Sequence, residues 1–121
     1  MPPKVNIAEK LELIGRAWDP KLVGRVNGVE IKLVKLDGEF VWHSHPVEDE
    51  LFLVVSGRLN MRFRDGEQAL EPGEFVIVPH GVEHCPVAMT ADTSVLLVEP
   101  AGVINTGEAD DPRRRTVLEE I

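Results

Sequence analysis

Hydrophobic and polar positions alternate along most of this chain in runs too short for long helices. Leu22 to Val26 and Val29 to Leu36 flank Asn27-Gly28, a pair suited to a two-residue hairpin. Asp37-Gly38 turns the chain into Glu39 to His45, read as the next strand. Leu51 to Val55 is continuously apolar, as expected of a strand covered on both faces. Ser56-Gly57 leads into Arg58 to Arg64, where Leu59, Met61 and Phe63 alternate with Arg58, Asn60, Arg62 and Arg64. That is the pattern of a half-buried strand, because successive side chains point to opposite faces. Asp65-Gly66 is a further hairpin turn, and Pro72-Gly73 and Pro79 to Gly81 bracket a strand over Glu74 to Val78. His84 to Ala88 and Ser94 to Glu99 complete the set. Roughly eight or nine short strands at regular spacing predict an all-β sandwich or barrel.

The two ends follow other patterns. Asn6 with Glu9 three residues later predicts the cap of a short helix carrying Ala8, Leu11 and Ile14 on one side. An extended arm over residues 1–20 is the rival reading. Asp19-Pro20 breaks whatever precedes it. The tail over residues 101–121 reads as a loop through Thr106 to Asp111, with Thr116 to Ile121 as a last strand or short helix. Arg113-Arg114-Arg115 reads as a solvated face or as a partner for the protein's own acidic surface. No linker divides the chain, so one domain over residues 1–121 is expected, with a core barrel from about 22 to 100.

Composition narrows the function. The chain has 121 residues, 13 basic and 21 acidic, for a net charge of −8. So acidic a surface disfavours nucleic acid and anionic membranes as partners. Cys85 is the single cysteine, so there is no internal disulfide framework. No apolar run approaches the ~20 residues of a membrane span. Met1-Pro2-Pro3-Lys4 lacks an apolar secretory core. The expectation is a cytoplasmic protein.

The four histidines, 43, 45, 80 and 84, all fall in two segments. One is His43-Ser44-His45-Pro46-Val47-Glu48-Asp49-Glu50, and the other is Pro79-His80-Gly81-Val82-Glu83-His84. Strand spacing puts His43 and His45 on one face. Imidazole with carboxylate is a common donor set for first-row divalent metals. If Glu50 and His84 lie on neighbouring strands, four donors converge. Glu50 is preferred over Glu48 and Asp49 because it shares parity with Phe52 and Val54. His80 falls in a tight turn and is read as a surface or rim residue. Cys85, next to His84, should turn away from the metal, and Trp42 should point outward, under the N-terminal segment or a subunit interface.

Written as Gly38-x4-His43-x-His45-x4-Glu50-x6-Gly57 and Gly73-x5-Pro79-x-Gly81-x2-His84, these segments resemble the two motifs of the cupin superfamily. The gap from Gly38 to His43 is one residue shorter than is common there, and Ala88 stands where many members have Asn. Neither change removes a donor. The resemblance implies a double-stranded β-helix, a jelly-roll-like barrel, with a divalent ion (Mn, Fe, Zn, Ni or Cu) on His43, His45, Glu50 and His84. Three imidazoles and one carboxylate leave open coordination positions, as catalytic sites do.

Strand parity predicts an apolar pocket of Val41, Phe52, Val54, Met61, Phe63 and Pro86, with Phe75 or Ile77 joining it. It turns no lysine or arginine inward. The expected ligand is a small apolar or aromatic molecule bearing oxygens. The class expected first is an oxidoreductase of dioxygenase type. The alternatives are a non-catalytic metal-containing binding module and a sugar isomerase-like cupin. The resemblance, the doubly apolar strand Leu51 to Val55 and the outward Trp42 together predict a homodimer.

Overall fold

A computed structural model describes residues 1–121. One short helix, α1 (Ile7–Glu12), precedes eight strands: β1 (Lys21–Val26), β2 (Val29–Lys35), β3 (Glu50–Ser56), β4 (Leu59–Phe63), β5 (Gly66–Leu70), β6 (Phe75–Val78), β7 (His84–Ala88) and β8 (Ser94–Pro100). They form two antiparallel sheets, in the orders β1-β2-β8-β3-β6 and β5-β4-β7. No helix is long and apolar enough to cross a membrane. The sheets close on one apolar core. Val34, Phe52, Val54, Val78, Val95 and Leu97 from the larger meet Leu59, Met61, Leu70 and Ala88 from the smaller.

The hairpin turn is where the Asn27-Gly28 pair predicts it, with Asn27 at φ 55°. Asn6 caps α1, its Oδ1 accepting from the Glu9 N–H at 3.0 Å. The buried side of this segment is Ile7, Leu11 and Ile14, and the expected Ala8 faces solvent. It packs on the outer surface of the larger sheet, over Val23 and Leu33.

Several local expectations are corrected. Glu39 to His45 is not a regular strand. It runs beside β7 and touches it as isolated bridges at Glu39–Val87 and His43–His84. Pro86 explains the break: the Phe40 N–H donates to Pro86 O at 2.9 Å, but proline has no N–H to return the bond. Thr116 to Ile121 is neither strand nor helix and makes one parallel bridge, Leu22–Glu120. Phe75 and Ile77 point outward, 59% and 53% exposed, so they do not join the pocket. The pairs Glu50–Val78 and Phe52–Val76 put Val76 and Val78 on the inner face instead. Trp42 is half-buried, and the Arg64 guanidinium lies 3.8 Å from its ring centroid. The tail arginines find acids of this chain, Arg113 with Asp111 and Arg115 with Asp19.

Candidate metal centre

Three elements bring the donors together. The segment before β3 carries His43 and His45, β3 opens on Glu50, and β7 opens on His84. On β3 the alternation buries Glu50, Phe52 and Val54 and leaves Leu51 and Leu53 partly exposed. Reciprocal backbone bonds between His43 and His84, at 2.9 and 3.0 Å, lock the two histidine-bearing segments side by side. The four donors are all buried, and one donor atom from each lies within 4.8 Å of the other three. His80 stands apart, exposed, with its Nδ1 3.0 Å from Asp49 Oδ1. Cys85 turns to the other side of β7, toward Glu39 and the Phe40 carbonyl.

The hydrogen bonds suit metal ligation. His43 Nδ1–H donates to Val41 O at 2.9 Å and His84 Nδ1–H to Val82 O at 3.0 Å. Each carbonyl fixes the tautomer and leaves the Nε2 lone pair free to bind a metal. His45 Nε2, His84 Nε2 and Glu50 Oε1 are buried with no hydrogen-bond partner. Orphaned polar atoms are costly to bury, and three aimed at one point fit a shared cation. Glu50 Oε1 lies 3.4 Å from His45 Nε2 and 3.7 Å from His84 Nε2.

The electrostatics point the same way. Burial, with His84 and His45 close by, lowers His43 from 6.5 to about 4, so its imidazole is neutral at pH 7. Burial pushes the Glu50 carboxyl up, but the neighbouring Glu99, His45 and His84 side chains outweigh it and hold Glu50 well below the usual range. Burial and the Glu50 charge push Glu99 well above its own. The centre therefore offers a neutral His43 imidazole and an ionised Glu50 carboxylate, protonation states suited to metal ligation.

Beside the centre lies a cavity of about 40 Å³. His43, Glu50, Phe52 and Pro86 face it, with Val34, Leu36 and Leu97 from the larger sheet. Of the pocket residues expected from parity, Val54 and Met61 are sealed in the core, and Val41 and Phe63 pack against it. The local pattern missed Trp18, Pro20, Phe40 and Asn105, which also line the cavity. Trp18 and Phe40 stack at 4.3 Å. Both termini thus build its wall, and the Asp19-Pro20 break was the only local hint of it. A second correction concerns charge. Lys32 is turned inward, 2% exposed, with its Nζ 2.7 Å from Glu99 Oε1.

Two antiparallel sheets closed over a buried cluster of three imidazoles and a carboxylate define a small double-stranded β-helix protein with a candidate metal site. The profile of the family described as "Cupin domain" matches residues 31–99, and the chain belongs to that family. A cupin-2 domain containing protein from Shewanella frigidimarina has a similar crystal structure, with TM-score 0.77 and 40% identity over 79% of this chain and 93% of that one. Protein NMB1881 from Neisseria meningitidis gives TM-score 0.74 and 31% identity over 82% of this chain and 100% of that one. The uncharacterized protein YdbB of Bacillus subtilis is 38% identical over 63 residues, 51% of this chain and 56% of YdbB. That match spans little more than half of the relative's length.

Proposed function

We propose that this cupin holds a divalent metal on His43, His45, Glu50 and His84 and is an oxidoreductase of dioxygenase type. Its substrate is a small apolar molecule with a chelating pair of oxygens, such as a β-diketone or a catechol. The observation that carries this reading is the set of orphaned donor atoms beside a cavity walled mainly by apolar side chains. A redox-active ion held there supplies Lewis acidity and electron transfer to dioxygen. The chain's own residues do the rest. Val41 O and Val82 O hold the protons of His43 and His84 at Nδ1. Trp18, Leu36, Phe40 and Leu97 exclude water and take up the apolar body of the substrate. The small cavity suits the smallest members of the class.

No lysine or arginine lines the cavity, which argues against a phosphorylated sugar. Its lining holds no ionisable side chain besides His43 and Glu50, and this favours the binding module as the second reading. Metal analysis of protein purified without added metal, followed by oxygen uptake with a β-diketone and a catechol, separates the two. Iron, manganese or copper with oxygen consumption supports the enzyme. Tightly held zinc without turnover supports the binding module, and tighter binding of a hexose phosphate than of either chelator refutes the apolar pocket. We further infer a homodimer, paired through the outer face of β3 and β6, where Phe75 and Ile77 are exposed beside Leu51 and Leu53.

A further inference from the structure

We propose that the groove between the segment 46–48 and the C-terminal tail binds a small zwitterion, a molecule with one carboxylate and one ammonium. The carboxylate is held by His45 Nδ1–H and Arg114, and the ammonium faces Glu48 and Glu108. The inference rests on the metal reading of the centre and adds a second ligand to it, outside the apolar cavity. The three imidazoles are not held alike. His43 Nδ1–H donates to Val41 O and His84 Nδ1–H to Val82 O. The His45 Nε2 is sealed in the centre, but its Nδ1 bonds to no protein atom and is not sealed. The His45 ring, only 4% exposed, lines a solvent-open groove of about 410 Å³ that shares no residue with the apolar cavity. An imidazole that ligates a metal through Nε2 donates its other N–H to a carboxylate, a carbonyl or water. The protein supplies no such acceptor for His45, so the groove does.

The charged groups of the groove fit the rest of the ligand. Of the three consecutive arginines, Arg113 pairs with Asp111 and Arg115 with Asp19. Arg114, between them, pairs with no acid, and its Nη1 makes one long contact, 3.5 Å to Gly107 O. Asn105 pins the backbone on both sides of it. Its Nδ2 donates to Arg113 O at 2.9 Å, and its Oδ1 accepts from the Arg115 N–H at 2.7 Å. The chain thus fixes the Arg114 backbone and leaves the guanidinium free to serve the groove. A guanidinium and an imidazole N–H are both donors, and a carboxylate has two oxygens to meet them. Glu48 and Glu108 line the same groove, and neither is in an ion pair. They repel a simple anion and attract a cation. Charges of both signs that line one groove without pairing with one another match a ligand that carries both signs. A carboxylate on His45 Nδ1–H also makes that imidazole a stronger donor. Ligand and metal therefore each bind more tightly in the presence of the other.

The test uses the whole chain loaded with Co²⁺. The probes are glycine, β-alanine and 4-aminobutanoate, with butanoate and butylammonium as single-charge controls. Proton NMR reads the Co²⁺-shifted imidazole N–H signals, and the visible spectrum reads the coordination shell. Without ligand, two N–H signals held by carbonyls should exchange slowly with water and the third quickly. At least one zwitterion is expected to slow the third exchange without the spectrum of a new metal ligand. Its Kd should be millimolar, because exposed charges attract weakly in water. Arg114→Ala, at an exposed position, is expected to keep its fold by circular dichroism and to weaken this binding about 3- to 10-fold. Glu48→Gln/Glu108→Gln should weaken the zwitterion too, but strengthen butanoate. No zwitterion binding, binding indifferent to both variants, butanoate as tight as the best zwitterion in wild type, or a spectrum of direct chelation overturns the inference and leaves the metal centre standing. If wild-type protein takes up no Co²⁺, the metal reading itself falls, and this inference with it.

Discussion

Gly107→Ala tests how the C-terminal tail is built onto the metal centre. Gly107 has φ +60°, and a Cβ there would press on the Ser44 carbonyl oxygen and come within 3.5 Å of His43 Cβ. Gly38 is a matched control, with φ +66° and open space around an added Cβ. Both alanines carry the left-handed backbone cost of about 1–2 kcal/mol. Only Gly107→Ala adds a collision with main chain that cannot swing aside. Relief requires the tail to lift, which strains two bonds that tie it to the body, from Arg113 Nη1 to Glu39 O at 3.0 Å and from Arg115 Nε to Asp19 Oδ1 at 3.4 Å. At ~0.5–1.5 kcal/mol for each bond, the expected total is about 2–5 kcal/mol, against about 1–2 for Gly38→Ala. With ~4 °C per kcal/mol for a domain of this size, Tm falls by about 8–20 °C in one variant and about 4–8 °C in the other. Thermal melts of both, with Co²⁺ affinity measured well below either transition, give the comparison. Gly107→Ala should also bind Co²⁺ more weakly than Gly38→Ala, because its Cβ displaces the His43–Ser44 backbone. Equal melting losses and equal affinities would show that the tail does not bear on the centre.

Three further outcomes are expected. His84→Ala should cost at least the ~10–100-fold in metal affinity that loss of an outer partner costs, while His80→Ala should leave affinity unchanged. Equal losses, read by metal analysis after dialysis, would place the centre elsewhere. In metal-free protein, His43 is held at about 4 when folded against 6.5 when unfolded, so between these values only the unfolded chain takes up the proton. Its contribution is fully present above pH 6.5 and is lost as pH falls toward 4, by up to ~3 kcal/mol at 1.36 kcal/mol per pH unit. Urea midpoints across that range should fall more steeply in wild type than in His43→Gln, and parallel profiles would refute the assignment. Finally, wild-type protein should sediment as a dimer at micromolar concentration, and Phe75→Glu/Ile77→Lys as a folded monomer. A wild-type monomer would contradict the pairing through β3 and β6.

Much of the architecture is legible in the chain because strands and turns are local. Asn27-Gly28 marks its hairpin, and the alternation from Leu59 to Phe63 marks a strand with one buried face. Donor spacing works for the same reason. Residues two apart on an extended chain share a side, and Glu50 shares the buried parity of Phe52 and Val54. Parity says which residues lie together, but it does not say which side of a sheet becomes the interior. On β2 the more apolar set, Ile31 and Leu33, went outward under α1, and the set containing Lys32 went inward. On β6, pairing with β3 turned Phe75 and Ile77 to the surface. Nothing near Lys32 in sequence signals Glu99, and Trp18 and Asn105 meet at one cavity from opposite ends of the chain. Those choices were left to tertiary structure, because the energy that decides them comes from partners across the sheets and from the termini, outside any local window.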